Sequence, residues 1–162
     1  MPDGDIGRAI NALAAAYDGL KVANGYRFNV QKVFRRFLNE DSLESLTSTP
    51  VIMVGRPPGS QAEFVWHDER LYRVNLPILV VGFIRGSGIN PEEERLSEMG
   101  EQFLSDMVKL AVAQTNAEPP WADEVVKNAT IQGTSHDGDW DTEGAMTFLR
   151  MTLYLHPDVA NP

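Results

Sequence analysis

The spacing of apolar residues predicts two helices. Between Asp5 and Leu20 the apolar positions recur at steps of three and four residues, which is the pattern of an amphipathic helix. A second helix is predicted to begin at Asn90-Pro91, where a capping residue, a proline at the first helical position and three following glutamates all suit a helix amino terminus. It runs to about Gln114 along an apolar stripe formed by Leu96, Met99, Phe103, Met107 and Leu110.

Alternation of apolar and polar residues predicts the strands. In the first half of the chain we expect a long strand from Tyr26 to Leu38, a polar loop from Asn39 to Thr49 and a short strand from Val51 to Val54. In the second half, Val125 to Gly133 and Ala145 to His156 are predicted to be strands on either side of an acidic turn.

A hairpin is predicted between these two groups of strands. Its arms are residues 62–67 and 70–85, and its turn is Asp68-Glu69. On one face of the second arm the alternate residues are all apolar. The opposite face changes midway from polar to apolar, at Arg73, Asn75, Leu79, Val81 and Phe83. Half of this strand therefore needs cover on both faces, either from a packed helix or from a neighbouring subunit. Pro77 has no N–H to donate, which predicts an edge position or a bulge.

The predicted order of elements is α-β-β-β-β-α-β-β. Runs of strands interrupted by two helices indicate an α+β fold, with a mainly antiparallel β-sheet and two helices packed on one face. The length of 162 residues and the apolar fraction of 43% suit one domain spanning residues 1–162.

Charge and composition narrow the classes of function. The 14 basic and 23 acidic residues give a net charge of −9, which has the wrong sign for a protein that grips phosphate backbones. A negative surface facing DNA would instead repel it and keep it moving. No apolar run approaches the roughly 18 residues of a membrane-spanning helix, and no leader pattern is visible. We expect a soluble protein made in the cytoplasm, with no membrane partner.

The acidic turn is the one place that suggests a metal. Asp137, Asp139 and Asp141 are spaced by two residues, as calcium ligands often are. An EF-hand loop would need glycine at its sixth position and glutamate at its twelfth, but these positions hold Thr142 and Phe148. A solvated hairpin turn is therefore favoured over a metal site of another kind, for which Asp137, Asp139 and Asp141 remain the candidate ligands.

Catalytic motifs are not visible in the sequence. Ser135-His136-Asp137 contains the residue types of a hydrolase triad, but three consecutive residues cannot form the through-space relay that the mechanism needs. The chain has no Gly-x-Ser-x-Gly motif, no phosphate-binding loop and no cysteine. We therefore expect a protein that is not an enzyme and that uses no cofactor.

The order of elements resembles that of the tail terminator proteins of long-tailed bacteriophages. The segments that carry this resemblance are Gly25 to Val30, Thr49 to Gly55, Leu71 to Arg85 and Gly144 to Leu155. The resemblance spans nearly the whole chain and depends on element order and hydrophobic spacing. It implies a structural virion protein at the head-proximal end of the tail, assembled in the host cytoplasm.

A tail terminator of this kind forms a homohexameric ring that caps the tail tube, stops tube polymerisation and joins the tail to the head connector. The implied partners are other copies of the chain, the tail tube protein, the connector or neck protein, and genomic DNA that passes through the lumen without sequence readout. Two alternatives stay open: another neck, head–tail joining or tail tube protein, and, in a different class, a small metal-binding module using residues 137–143.

Contacts with partners are expected mainly in loops, because loops reach partners while the sheet sets the frame. Trp121 is added because it lies in a Pro-Pro-Trp linker with little hydrophobic sequence around it. The candidate contact residues are Arg56, Pro57, Pro58, Asp68, Glu69, Trp121, Asp139, Trp140 and Asp141.

Overall fold

A computed structural model describes residues 4–85, 93–139 and 144–156. Its helices are α1 (Gly4–Asp18), α2 (Glu40–Glu44) and α3 (Glu93–Thr115). Its strands are β1 (Lys32–Phe34), β2 (Val51–Gly55), β3 (Glu63–His67), β4 (Arg70–Arg85), β5 (Val126–Asp139) and β6 (Gly144–Leu155). Two short 3-10 turns occupy Val22–Asn24 and Pro120–Ala122.

The six strands form one mixed sheet. Its order is β1-β2-β4-β6-β5, and β3 pairs with β4 on the same side as β2. Only the β1–β2 pair is parallel among the described strands; the other pairs are antiparallel. The α+β class is therefore confirmed, as is the hairpin formed by β3 and β4.

The helix count was underestimated, because α2 lies within the segment predicted to be a polar loop. This helix is only five residues long, too short for an apolar stripe to reveal it. The Asn39 side chain caps it by accepting a hydrogen bond from the Ser42 N–H at 2.8 Å. Leu43 is its one buried residue.

The prediction of a long first strand was also wrong, because only Lys32–Phe34 of the predicted segment is a strand. The residues before it are held against α3 instead. The N–H of Arg27 donates to the carboxylate of Asp106 at 2.8 Å, and the Phe28 ring packs edge-on against Phe103, with 5.4 Å between centroids. A backbone group bound by a helix side chain cannot also take part in a strand ladder.

Pro77 lies in a gap between two partners of β4. On this side of the strand, β3 pairs with residues up to Asn75, and β2 pairs with residues from Leu79 onward. This position agrees with the expected edge location, because the proline falls where neither strand forms a ladder with β4.

The sheet is covered on one face by α1 and α3 and partly on the other by α2 and the segment before it. The main core joins both long helices to the alternate residues of β4 from Val74 to Ile84. On the opposite face, Leu43 packs with Met53, Val81 and Phe83. The double cover expected for the second half of β4 is thus supplied within the chain. No helix in the described ranges is long and apolar enough to cross a membrane.

Candidate interaction surface

A two-stranded ribbon extends beyond the rest of the sheet. We use "the ribbon" for residues 63–75, which comprise β3, the turn and the first part of β4. β6 pairs with β4 only from Val74 onward, so β3 is the sole partner of residues 70–73 among the described strands. Two strands alone are marginally stable in water, and the ribbon therefore depends on its attachment to the sheet.

The ribbon exposes large aromatic side chains. Phe64, Trp66 and Tyr72 are 52%, 62% and 46% exposed, and in the part of the chain that the structure describes the other exposed large hydrophobic residues are only Val22 and Val112. Single exposed apolar residues are common, but three exposed aromatics on one projecting element are typical of a contact surface.

Strand register places two of these aromatics on one face. Phe64 pairs with Val74 and Trp66 pairs with Leu71, and Val74 and Leu71 both contact the main core on the helix side of the sheet. The register shifts between Val65 and Trp66, which corresponds to a bulge in β4. Phe64 and Trp66 thus face the same side as α1 and α3 but lie beyond their cover.

The tip of the ribbon has a strained backbone. Asp68 and Glu69 have φ angles of 48° and 66°, both in the left-handed region that disfavours residues with a Cβ atom. Positive φ at both central positions is the mark of a type I′ turn, whose twist matches a two-residue hairpin. The turn was predicted at the correct two residues, although Asp-Glu replaces the Asn-Gly pair that is usual in such a turn.

The base of the ribbon holds two buried polar atoms without a hydrogen bond. They are the Nε of Arg73 and the Oδ1 of Asn75, and neither has a partner in the part of the chain that the structure describes. Arg73 stacks over the ring of Tyr154 at 4.9 Å, and Lys127 lies 5.0 Å from the ring of Tyr72. These cation–π contacts fasten the ribbon to β5 and β6, each with a stabilisation of about 0.5–1 kcal/mol at a partly exposed site.

The predicted contact residues do not converge on one surface. Asp68 and Glu69 are exposed at the ribbon tip. Arg56 and Pro58 are exposed and Pro57 is half-buried in the loop that follows β2, beside the middle of the sheet. Asp139 ends β5 opposite Gly144, at the end of the sheet far from the ribbon.

The acidic turn falls largely outside the described residues. Trp140 and Asp141 lie outside them altogether, and of Asp137 and Asp139 only the backbone is described, as part of β5. The prediction of a solvated turn, and the disfavoured alternative of a metal site at Asp137, Asp139 and Asp141, therefore both stay untested. Elsewhere in the described ranges, no group of three or more acidic or histidine side chains could hold a metal ion.

Trp121 is a core residue and not a contact residue. It is 1% exposed and packs against Tyr17 of α1, with 5.9 Å between ring centroids. Its φ is 57°, and its buried Nε1 has no hydrogen-bond partner among the described residues. The sequence around Trp121 gives no sign of this burial, because its hydrophobic neighbours come from distant elements, among them Tyr17 of α1.

Sequence reasoning missed Phe64, Trp66 and Tyr72 as surface residues. In the structure Phe64 and Trp66 are alternate residues of β3 and lie on a common face. Such alternation normally indicates burial, and nothing nearby in the sequence shows that the helices end before they reach this face. The signal that could have been used is the number of aromatics in a short hairpin close to a charged turn.

Displaced pKa values occur away from the ribbon. Burial raises the pKa of the Tyr17 hydroxyl above its usual value, and this hydroxyl donates to the carbonyl of Met107 at 3.1 Å. Burial, and then the nearby charge of Asp106, raise the pKa of Tyr26. Both tyrosines contact α3, so these shifts belong to packing of the helix layer.

In comparisons with known proteins, no family model matches the chain, and no curated protein matches it significantly.

Proposed function

We propose that the chain is a structural subunit of a bacteriophage tail terminator, a homohexameric ring that caps the tail tube, stops its polymerisation and joins the tail to the head connector or neck. The observation that carries the proposal is the ribbon, which exposes Phe64, Trp66 and Tyr72 beyond the cover of the helices. A surface of this kind suits a protein whose work is to bind other subunits.

Burial of the exposed Trp66 side chain by a partner would release free energy. An exposed fraction of 62% leaves roughly 150 Å² of the Trp66 side chain in water, taking about 250 Å² for a whole tryptophan. Burying it would stabilise a complex by at most about 4 kcal/mol at 25 cal/mol per Å². One such residue is enough to act as a hot spot at a subunit contact.

The charge of the chain fits a ring around DNA. At a net −9 the protein has little attraction for phosphate backbones, so DNA could pass through a lumen without being held. The proposed partners are accordingly other copies of the chain, the tail tube protein, the connector or neck protein and passing genomic DNA. The proposed location is the head-proximal end of the virion tail.

Mass and imaging test the proposal. Light scattering on purified protein, followed by electron microscopy with and without tail tubes, should show rings of about six subunits, alone or on tube ends, consistent with closed cyclic symmetry. Trp66→Ala should weaken ring formation. Val22→Ser is the matched control, because Val22 is 53% exposed but lies outside the ribbon. A persistent monomer that ignores tubes would overturn the proposal.

A further inference from the structure

β3 is an outer strand that keeps the features of a pairing strand. Among the described strands it has β4 as its one partner, so the N–H and C=O groups on its other edge are left for solvent or for a further strand. Its five residues include no proline, glycine or lysine, and the register shift of the pair lies in β4. Proteins usually protect such an edge, because a free edge is a template for pairing with another chain.

The other two outer strands are protected in ways that β3 is not. β1 is only three residues long, and exposed cations lie in it and directly after it, at Lys32, Arg35 and Arg36. β5 is long, but register shifts interrupt its pairing with β6 between Val126 and Asn128 and between Ile131 and Gly133. Such bulges twist an edge away from a regular ladder. Among the described strands, β3 is therefore the edge best suited to accept another strand.

We propose that β3 of one copy of this chain pairs antiparallel with β3 of a second copy, about a two-fold axis at Val65. This register places Phe64 opposite Trp66 of the second copy, and Glu63 opposite His67 of the second copy. Each pair forms twice, because the axis is two-fold. The contact goes beyond the proposed ring, since a two-fold contact joins two copies and closes on itself.

The side chains of β3 match themselves in this register on both faces of the sheet. On the helix side, the exposed rings of Phe64 and Trp66 meet across the strand pair, and aromatic cross-strand pairs are among the favourable ones. On the other side, exposed Glu63 meets exposed His67, and Arg70 lies next to that histidine on β4. An acid therefore meets an imidazole backed by a guanidinium.

Other antiparallel registers lose this match. Moving the second copy by two residues in one direction brings Glu63 opposite Glu69, and like charges directly opposite each other are unfavourable. Moving it by two residues in the other direction brings Trp66 opposite Ala62, so the aromatic pairs are lost. A shift by one residue places side chains of opposite faces against each other. The register centred on Val65 is thus the one that the sequence of β3 favours.

The contact is small and should be reversible. Each copy contributes the five residues of β3, against about 20–30 residues a side in a stable interface. The net charge of −9 on each copy opposes association, so the measurement belongs at physiological salt, where charges more than about 8 Å apart are largely screened. Such a dimer covers Phe64 and Trp66 in the unassembled chain and releases them to a partner that binds the ribbon more tightly.

Charge variants test the pairing and its register together. Sedimentation of the full chain at increasing micromolar concentrations should show a monomer–dimer equilibrium. Glu63→Lys places a lysine opposite His67, and His67→Glu places two acids opposite each other, so each variant alone should dimerise roughly 10-fold more weakly. An equimolar mixture of these two variants has unlike pairs at both positions and should dimerise about as tightly as the parent protein.

Glu124→Lys is the matched control for these variants. Glu124 is exposed and lies just before β5, and its replacement changes the net charge by the same amount as Glu63→Lys. It should dimerise like the parent protein, and mixing it with the His67→Glu variant should not restore the dimer of that variant. If the mixture of Glu63→Lys with His67→Glu is as weak as either variant alone, the register is wrong.

A single cysteine at the two-fold axis gives an independent measurement. The chain has no cysteine, and opposite Cα atoms of an antiparallel pair lie about 4.5–5.5 Å apart, within the roughly 4.4–6.8 Å that a disulfide spans. Val65→Cys should therefore form a disulfide-linked dimer under mild oxidation. Ala15→Cys, at an exposed position of α1, should not.

The outcomes separate this inference from the proposed function. A chain that stays monomeric at every concentration, with no disulfide-linked dimer of Val65→Cys, would overturn the β3 contact. Rings on tail tubes without such a dimer would also overturn it and leave the ring proposal standing. A dimer that shows the rescue by mixing but forms no ring with tail tubes would support this inference and overturn the ring.

Discussion

Gly82 allows α3 to approach the centre of the sheet, and replacing it with alanine should destabilise the fold. A Cβ atom at this position would lie 2.6 Å from Cε2 of Phe103, 2.6 Å from Oγ1 of Thr147 and 2.7 Å from Sδ of Met107. All three neighbours are fully buried, so none can turn its side chain into solvent. Relief of these contacts requires α3 and the sheet to move apart.

Overpacking of this kind costs about 1–3 kcal/mol, from which roughly 0.5–1 kcal/mol is regained because alanine restricts the unfolded chain more than glycine does. We therefore expect Gly82→Ala to lower the free energy of unfolding by about 1–2 kcal/mol. For a chain of this length that corresponds to a fall in Tm of roughly 2–8 °C. Urea unfolding followed by circular dichroism measures the first quantity, and a thermal scan measures the second.

Gly133→Ala is the matched control. Gly133 also lies in a strand, but an added Cβ there meets no atom of the described residues within 4 Å. Its replacement should leave stability unchanged or slightly raised. If both variants unfold at the same urea concentration, α3 does not cross the sheet at Gly82. In a further test, Met107→Ala in the Gly82→Ala background should cost less than in the parent protein, because the two side chains compete for one space.

Three further predictions address other contacts of the fold. Tyr17→Phe removes a buried hydrogen bond and should cost about 1 kcal/mol at pH 7. The raised pKa of Tyr17 keeps its proton bound in the folded state, so the free energy of unfolding should fall as pH rises above about 10. Urea titrations at several pH values should find a shallower fall for Tyr17→Phe than for the parent protein. Equal slopes of unfolding free energy against pH would contradict this. Asp106→Ala leaves the N–H of Arg27 unpaired and should cost about 1–3 kcal/mol and speed exchange of that amide; unchanged exchange would refute the contact. Glu69→Gly removes left-handed strain of about 1 kcal/mol and should slow amide exchange in the ribbon but not elsewhere; no change in the ribbon would count against the turn geometry.

Sequence patterns predicted the elements whose period is long and regular. The apolar stripe of α3 and the alternation along β4 and β6 extend over many residues, and each of these elements lies within a few residues of its predicted range. The predicted start of α3 at Asn90-Pro91 lies outside the described residues, within which the helix spans Glu93–Thr115. Periodicity works here because one whole face of each element is buried along its length.

The remaining features depend on partners distant in the sequence. The segment from Tyr26 to Gln31 alternates like a strand, yet the N–H of Arg27 bonds to Asp106, 79 residues away. Trp121 finds its hydrophobic neighbour in Tyr17. The exposure of Trp66 arises because the helix layer stops short of the ribbon. None of these contacts can be recognised from the neighbouring sequence. For this reason only the tip of the ribbon, Asp68 and Glu69, was predicted as part of a contact surface.

The ribbon contains several departures from the usual rules of folding. Within residues 63–75 the chain exposes three aromatics, places two residues with side chains at positive φ and buries the unpaired polar atoms of Arg73 and Asn75. Trp121 and Ala122 also have positive φ, but Trp121 is fully buried and can reach no partner. Features that cost stability are retained where function needs them. The ribbon is therefore the place to look for a partner, whichever assembly the chain enters.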